Sequence, residues 1–345
     1  MNNQEKLLSV VIPCYNSEAY MKKSIASVLT AGDEVEILVV DDGSTDNTLN
    51  IARDFEKKYP GIVRAIHQEN KGHGGAVNTG IANATGKYFK VLDSDDWFGR
   101  EAFKKVMDVL RAHKDDEHEL DMVISNYIYD KCGAKRKTVM QYRSVFPVGK
   151  EFTWKDAKYV KPTQYILMHS IIYRRQVLLD SGLKLPEHTF YVDNLVAYQP
   201  FTYVKKLYYV DVNLYHYFIG RADQSVNETV MRGRLDQQIR VNELMIDELM
   251  YIKKRTVDKD AKRFMVHMLN MIMTISTVFL SMEDDYAEGE RRKKALWGRL
   301  KKEDVGSYYS IRFTALGLAA CLPGKIGNKI LIEGYHFFQY FFGFN

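Results

Sequence analysis

Cysteine is scarce in this chain of 345 residues, and its positions are scattered. Cys14, Cys132 and Cys321 lie far apart and form no CxxC pair, which argues against a disulfide framework and against a structural zinc site. The N-terminal segment MNNQEKLLSVVIP has no basic stretch ahead of its apolar residues, so the sequence shows no secretory signal. These absences predict a protein that works in the reducing cytoplasm.

Glycine-rich phosphate-binding fingerprints are also missing. The sequence has no GxGxxG after its first predicted strand and no GxxxxGK[ST] anywhere, which argues against dinucleotide-dependent oxidoreductases and P-loop enzymes. One glycine-rich loop, residues 71–75, opens a short predicted helix, where its backbone amides and the Lys71 ammonium could meet an anion. A plain flexible connection is an equal alternative for this loop.

Periodicity predicts an α/β protein with a mostly parallel sheet flanked by helices, because short β-branched runs alternate with helical segments. Strands are predicted at 8–12, 36–40, 63–66, 88–92 and 122–125. Helices are predicted over 18–30 with Ser17 as the cap, from Asp46 to about Tyr59, and over 100–112. The first domain is predicted over 1–230, with 126–230 completing the sheet and forming the acceptor side.

The remainder, 231–345, is predicted to be mainly helical, with a charged linker over 283–294 and a basic aromatic tail. Residues 264–282 approach membrane-spanning length, but His267, Asn270 and four Ser or Thr favour a buried helix. Residues 291–345 hold ten basic residues and only three acidic ones, beside apolar segments at 313–322 and 330–344. This pattern predicts contact with an anionic membrane surface, with packing on the protein or in a homodimer as an equal alternative.

Polar turns follow three predicted strands, at 13–16, 41–44 and 93–96, and ligands of such sheets bind beyond the carboxyl ends of the strands. Acidic residues crowd two of these turns: Asp41, Asp42, Asp93, Asp95 and Asp96. Such crowding is costly unless a cation or hydrogen-bond donors offset the repulsion, and carboxylate oxygens suit Mg²⁺ or Mn²⁺. For any single aspartate, capping of the following helix is the alternative. Basic residues do not interleave with aromatics over this edge, so no nucleic acid partner is predicted.

The order of these motifs resembles the family 2 glycosyltransferases of the GT-A fold over roughly residues 8–225. The matching segments are VVIPCYN, ILVVDDGSTDNT and NKGHGGAVNTGIANATGKYFKVLDSDDW. The resemblance implies that the nucleobase pocket is lined by Pro13, Tyr15 and Asp42. It implies that Asp93 and Asp95 form a DxD element, which binds the ribose and the metal-diphosphate respectively, with both carboxylates as candidate metal ligands. Further donor-binding candidates are Asn16, Lys71 and Ser94.

The segment Phe190-Tyr191-Val192-Asp193-Asn194 matches the context of the family's acidic pair, and Asp193 is the predicted catalytic base. Val192 stands where the family usually has Glu. Val77 stands where many relatives carry Arg, so a phosphate contact of that Arg is not carried over, and Lys71 is a candidate substitute. The later segment LYHYFIGRADQSVN resembles the family's loop over the donor, which implies diphosphate or acceptor contacts for Arg221, Gln224 and Ser225.

Two other side chains have open interpretations. His216 is a candidate extra metal ligand, although a histidine between tyrosines is more often a hydrogen-bonded packing residue. Trp97 directly follows the acidic turn, where it could stack on a sugar ring or simply be buried at the start of a helix.

The predicted function is a metal-dependent inverting glycosyltransferase. A cation on Asp95 would neutralise the departing nucleoside diphosphate while Asp193 removes the acceptor's proton, without a covalent sugar intermediate. A UDP-sugar donor and a glycan or lipid-linked acceptor in cell-surface polysaccharide synthesis are implied by the resemblance. The expected location is the cytoplasm, with peripheral contact at the inner face of the cell membrane.

Two alternatives stay open. One is a catalytically impaired relative that binds a nucleotide-sugar or glycan, and it is favoured only by Val192. The other is a sugar nucleotidyltransferase, which needs a glycine-rich loop with Arg that VVIPCYNSEAY lacks.

Overall fold

The computed structural model describes residues 6–115, 117, 119–131, 133, 137–161, 164, 166–220, 228–253 and 257–342. The chain divides into two compact units. The first unit comprises Met1–Tyr159 and Ile166–Ile219, and the second comprises Val160–Tyr165 and Gly220–Asn345. The division after Ile219 differs from the predicted domain boundary at 230, which stays a prediction.

Strands of the first unit form one mixed sheet of ten within the described residues. They are β1 (Leu8–Cys14), β2 (Val35–Asp42), β3 (Val63–Gln68), β4 (Tyr88–Val91), β5 (Trp97–Phe98), β6 (Met122–Lys131), β7 (Thr138–Met140), β8 (Glu151–Phe152), β9 (Ile171–Arg174) and β10 (Leu207–Ile219). The order across the sheet is β3-β2-β1-β4-β9-β6-β10-β5, with β7 beside β6 and β8 beside β10. All five predicted strands are present.

The first half of the sheet is parallel, as predicted, because β1 pairs in parallel with β2 and β4, and β2 with β3. Every residue of β1 and β2 is buried, which is typical of central parallel strands with helices on both faces. The register pairs Cys14 with Asp41, so the turns that follow these two strands begin side by side.

The second half departs from the predicted parallel arrangement. β9 inserts antiparallel between β4 and β6, while β10 runs parallel to β6 over most of its length. β5 pairs antiparallel with β10, which places Trp97 opposite His216 and Phe98 opposite Tyr215. The end of β10 therefore lies beside the acidic turn that separates β4 from β5.

The first unit contains the helices α1 (Met21–Val28), α2 (Thr48–Lys58), α3 (Gly72–Asn83), α4 (Arg100–Ala112), α5 (Arg175–Asp180) and α6 (Asp193–Tyr198). The predicted bounds of α4 are confirmed. Asn47, not the predicted Asp46, occupies the N-cap position of α2, and Asp46 Oδ1 accepts the Thr48 backbone N–H at 2.9 Å from one residue earlier. The prediction for Ser17 is wrong, because α1 begins only at Met21 and the Ser17 hydroxyl instead lies 2.8 Å from Ser94 Oγ.

The second unit is helical, with α7 (Glu228–Gly233), α8 (Leu235–Lys253), α9 (Lys259–Ser281), α10 (Tyr286–Glu303), α11 (Val305–Arg312), α12 (Ala315–Ala320) and α13 (Gly324–Phe342). Most of the predicted linker over 283–294 is in fact the start of α10. Asp285 caps this helix through the amides of Ala287 and Glu288, and Leu296, Trp297 and Leu300 bury its inner face.

α9 is the central helix of the second unit and contacts α8, α10, α11, α12 and α13. In the described residues it is the one helix long and apolar enough to cross a membrane, with a mean hydropathy of 1.6, yet 67% of that stretch is buried in the protein. His267 lies 2.9 Å from the Gln164 carbonyl, so its polar side chain has a partner. These contacts agree with the predicted packed helix.

Candidate active site

The turn after β2 is built around a buried carboxylate. Asp42 is 3% exposed, and its Oδ1 accepts hydrogen bonds from Gln68 Nε2 at 2.7 Å and from the Lys71 backbone N–H at 2.9 Å. Donors of this kind offset the cost of burying a charged group. The chain can turn sharply here because Gly43 has a φ of 73°, and a Cβ on it would lie 2.9 Å from the Asn70 nitrogen. The predicted nucleobase residue Asp42 is thereby tied to Lys71 at the start of α3.

The turn after β1 is locked to the turn after β2. The Asn16 side-chain carbonyl accepts the Thr45 N–H at 2.9 Å, and the Asn16 N–H donates to the Ser44 hydroxyl at 3.0 Å. Pro13 is buried in β1, whereas the Tyr15 side chain is 56% exposed at the edge of the sheet. The donor-binding roles of Pro13, Tyr15 and Asn16 stay predictions.

The turn after β4 holds the predicted DxD element. His73 Nε2 lies 2.9 Å from Asp93 Oδ1, and the Tyr215 hydroxyl lies 3.4 Å from Asp93 Oδ2. Burial alone would raise the pKa of Asp93, but the His73 hydrogen bond and charge hold that pKa below its ordinary value. Asp93 is therefore an ionised carboxylate near neutral pH.

Asp96 anchors this turn to β10. Its carboxyl group is fully buried and accepts hydrogen bonds from the Tyr215 hydroxyl at 2.6 Å and the Phe218 N–H at 2.7 Å. Burial, together with the charges of Asp95 and Asp93, raises the pKa of Asp96 well above its ordinary value. Asp96 is thus a structural member of the acidic group.

The other side of the turn is fixed by α1. The Ser24 hydroxyl donates to the Ser94 carbonyl at 2.8 Å and to the Asp96 carbonyl at 2.5 Å, while Ser94 Oγ contacts Ser17. Backbone positions of the DxD element are therefore set by tertiary hydrogen bonds from α1 and β10. A turn held in this way is rigid, which suits a site that must place charges accurately.

Asp193, the predicted base, is the first residue of α6. Burial raises the pKa of its carboxyl group to about 6, with the charge of His73 opposing the rise and that of Asp93 adding to it. The segment before it is conformationally strained, because the non-glycine residue Tyr191 has a φ of 65°. The geometry thus presents a carboxylate whose pKa is shifted toward neutrality, beside the DxD turn.

The Val192 side chain is 1% exposed and packs in the core. The position where the family usually carries Glu is therefore an apolar packing position in this chain.

His73 connects these acids, and its place in the glycine-rich loop was the only sequence feature that pointed to it. Burial lowers the pKa of His73, but the Asp93 hydrogen bond and the charges of Asp93, Asp193 and Asp42 raise it above its ordinary value overall. One imidazole accordingly lies within electrostatic reach of three acids that were predicted separately.

Close backbone packing joins the start of α3 to the segment that precedes Asp193. A Cβ on Gly74 would lie 2.6 Å from the Pro186 carbonyl oxygen, and a Cβ on Gly72 would lie 3.0 Å from His188. The His188 N–H also donates to the Lys71 carbonyl at 2.8 Å. The start of α3 is therefore held directly against the segment that leads into α6.

The remaining predicted phosphate contacts are less constrained. Lys71 Nζ lies 4.0 Å from Glu187 Oε1, and the Lys71 side chain is about half exposed. Val77 is fully buried in α3, so its side chain packs in the core at the position where many relatives carry Arg. Arg221 and Gln224, with Ser225, lie outside the described residues.

Trp97 does not offer an open face to a sugar. The Lys23 ammonium lies 2.8 Å from the indole ring centroid, and the His216 ring stacks on it with centroids 5.2 Å apart. His216 Nδ1 in turn lies 3.0 Å from Asp130 Oδ2. The structure therefore favours packing and hydrogen-bonding roles for both Trp97 and His216.

The donor set of the acidic turn fits a cation that is shared with a diphosphate. Within the described ranges, no group of three or more His, Cys, Asp or Glu side chains could hold a metal ion. Mg²⁺ in enzymes is commonly held by one or two carboxylates together with substrate phosphates and water. Asp95 is partly exposed and suits this mode. The Asp93 oxygens contact His73 and Tyr215. Asp93 as a second ligand stays a prediction.

Comparison with solved structures places the fold among known glycosyltransferases. Staphylococcus aureus TarS, residues 1–349 in complex with UDP-GlcNAc, superposes with a TM-score of 0.71 and 19% identity, over 97% of this chain and 93% of that one. A mannosyltransferase from Pyrobaculum calidifontis, in complex with GDP-Man and Mn²⁺, gives a TM-score of 0.51 at 15% identity, over 97% and 87% of the two chains. At these identities, the likeness shows the fold.

Sequence comparison supplies the family. Residues 9–178 match the model described as glycosyl transferase family 2. An uncharacterised glycosyltransferase of Mycoplasma pneumoniae is 30% identical over 224 residues, which is 64% of this chain and 70% of that protein. Some other matches are shorter, and the chain covers only 16% to 41% of those curated proteins. The chain belongs to the family 2 glycosyltransferases.

Proposed function

We propose that this glycosyltransferase moves a sugar from a UDP-sugar to a hydroxyl group of a glycan or lipid-linked acceptor, with inversion at the anomeric carbon. The observation that carries the proposal is the position of Asp193 at the start of α6, a segment packed against the loop that bears His73, whose ring contacts Asp93. The charges of His73 and Asp93 both act on its carboxyl group, and its pKa is raised to about 6. TarS was solved with UDP-GlcNAc, which supports the choice of UDP as the nucleotide. The acceptor class is the one implied by the family resemblance.

Asp193 supplies the base that direct displacement requires. A carboxylate with a pKa near 6 is largely ionised at neutral pH yet more basic than an ordinary aspartate, which is the compromise that general-base catalysis favours. In the proposed reaction it accepts the proton of the acceptor hydroxyl as that oxygen attacks the anomeric carbon. Attack from the face opposite the leaving diphosphate gives inversion.

The acidic turn serves the leaving group. A divalent cation, when bound, would neutralise the charge that develops on the departing diphosphate. Asp95 would hold it on the protein side, and the mannosyltransferase solved with GDP-Man and Mn²⁺ supports this assignment. Asp93, kept ionised by His73, is assigned to the ribose, and the buried Asp42 to the nucleobase.

A binding protein without turnover is the alternative that Val192 favours. The buried side chain of Val192 instead supports a catalytic protein. This position faces the core, and Asp193 is still the first residue of α6. A glutamate at 192 would place a carboxyl group in the core, and burying a charged group is costly. The valine is therefore compatible with catalysis.

The test is a donor screen with UDP-, GDP- and dTDP-sugars in the presence of Mn²⁺, following release of nucleoside diphosphate. We expect release from a UDP-sugar, loss of release with EDTA, and β-product from an α-linked donor by NMR of the anomeric proton. Asp54→Asn, on the exposed face of α2, is the matched control for carboxylate substitutions. Donor binding by calorimetry without any release, even with acceptor glycans added, would favour the binding protein. Retained configuration would exclude the displacement.

A further inference from the structure

Large apolar side chains are concentrated on the surface of the last helices. Of the fourteen exposed large hydrophobic residues in the described part of the chain, seven lie between 305 and 337. We call these seven the apolar set: Val305, Tyr309, Phe313, Leu318, Ile326, Ile330 and Phe337. Half of the exposed large hydrophobic residues thus lie in one short stretch of the chain. Single exposed apolar residues scattered over a surface are common and would need no explanation.

The spacing places these side chains on helix faces. Val305, Tyr309 and Phe313 recur every four residues along α11 and into its C-terminal end, and Ile326 and Ile330 have the same spacing on α13. The Tyr309 and Phe313 rings stack with centroids 5.9 Å apart, although both side chains are exposed.

The opposite faces of the same helices are buried, with Ile311 1% and Leu331 6% exposed. Each helix therefore has a packed apolar face and also exposes large apolar side chains, which on α13 alternate with the exposed charged residues Lys325, Lys329 and Glu333.

Positive charge accompanies the outer faces. Exposed Lys325 and Lys329 are next to Ile326 and Ile330 along α13. Of the ten basic residues in 291–345, four (Arg291, Arg292, Lys293 and Arg299) form ion pairs with acidic side chains, so the charge next to the apolar set is that of Lys325 and Lys329. Exposed apolar side chains beside lysines match the chemistry of an anionic bilayer surface, which offers both an apolar layer and negative headgroups.

We propose that the outer faces of α11 and α13 bind the surface of an anionic membrane and hold the enzyme there as a peripheral protein. The members of the apolar set on these two faces enter the headgroup region, and Lys325 and Lys329 pair with lipid phosphates. This inference is independent of the role assigned to Asp193, since it concerns only the second unit.

Flotation of the full chain with lipid vesicles tests the proposal. The vesicles are phosphatidylcholine alone and phosphatidylcholine mixed with phosphatidylglycerol, at low and high salt. We expect binding to the anionic vesicles that weakens with salt. Lys325→Gln/Lys329→Gln should weaken it about 30-fold, since each lysine near an anionic surface contributes roughly a fivefold effect. Ile326→Ser/Ile330→Ser should weaken it by at least about tenfold.

Matched control variants carry the same kinds of substitution at exposed positions outside α11 and α13. Lys57→Gln/Lys58→Gln removes two exposed lysines from α2, and Tyr251→Ser/Leu179→Ser removes two exposed apolar side chains outside the apolar set. Both controls should bind vesicles like the wild type. Unchanged thermal unfolding midpoints show that the test variants fold, because the substituted side chains are exposed.

Three outcomes would overturn the proposal. The first is no flotation of the wild type with anionic vesicles, and the second is equal loss of binding in the α2 control. The third is a change of mass by light scattering in Ile326→Ser/Ile330→Ser without any effect on vesicle binding, which would assign the apolar set to an interface between copies of the chain. A chain that floats normally yet transfers no sugar would refute the proposed function alone.

Discussion

Replacing Asp193 by asparagine is expected to have opposite effects on rate and on stability. The carboxyl group has a pKa of about 6 in the folded protein, compared with 3.8 for an ordinary aspartate. Because the folded pKa is raised, the folded state holds the proton more tightly than the unfolded state does, and ionisation above pH 6 destabilises the fold. The difference between these two pKa values corresponds to a loss of at most about 3 kcal/mol of folding free energy. This loss is complete at pH 7 and absent below pH 3.8.

The asparagine variant avoids that cost. Its melting temperature at pH 7 should exceed that of the wild type by a few degrees, and the difference should vanish as the pH falls toward 4. Differential scanning calorimetry across this range measures it, with Asp54→Asn as the exposed control that should show no such trend. Equal stability of variant and wild type at pH 7 would mean that folding does not raise the pKa of Asp193.

The kinetic side of the same prediction uses the pH profile of kcat/KM for diphosphate release. The base must be ionised, so the wild-type value should fall below pH 6 with unit slope, reaching about a tenth of its plateau at pH 5. Asp193→Asn should lower turnover by about 10²–10⁴-fold and remove this limb. A wild-type profile that stays flat down to pH 5, or a variant that keeps the limb, would refute the assignment.

Three further substitutions test neighbouring parts of the site. His73→Gln removes the charge that lowers the pKa of Asp193, so the acid limb of kcat/KM should move to higher pH, and an unmoved limb would place His73 outside the site. Asp95→Ala should make donor affinity by calorimetry equal with and without Mn²⁺; a remaining Mn²⁺ enhancement would remove its metal role. Val192→Glu buries a carboxylate and should lower the melting temperature without raising turnover, whereas a faster enzyme would show that the missing glutamate matters.

The first half of the sheet could be predicted from the sequence because each of its strands is marked by a short local run of apolar residues. Runs such as that of β1 are buried on both faces, so β-branched residues mark them without reference to the rest of the fold. The strand-end turns follow from the same pattern, which is why Asp42 and Asp93 could be placed in the site. The insertion of β9 between β4 and β6 depends on pairing between distant segments, which composition does not encode.

The wrong predictions have tertiary causes. Ser17 has the side chain of a helix cap, yet its hydroxyl lies beside Ser94, and α1 starts later. The charged stretch after α9 looked like a linker because its charges lie on the surface of α10, where Arg291 pairs with Glu288 one turn away. His73 was missed for a related reason, since a lone histidine among glycines is informative only once Asp93 is known to contact it.

The contact between Gly74 and the Pro186 carbonyl has a consequence for how this site can change over time. Two stretches separated by more than a hundred positions meet here, and a side chain on residue 74 would collide with the Pro186 carbonyl oxygen and the Leu185 Cβ. A larger residue at 74 would therefore displace the start of α3 from the segment that leads into α6, even if every acid were retained. Substitutions at these positions are therefore coupled. A protein in which Gly74 is replaced by a larger residue can keep the same site only if the segment before α6 also moves.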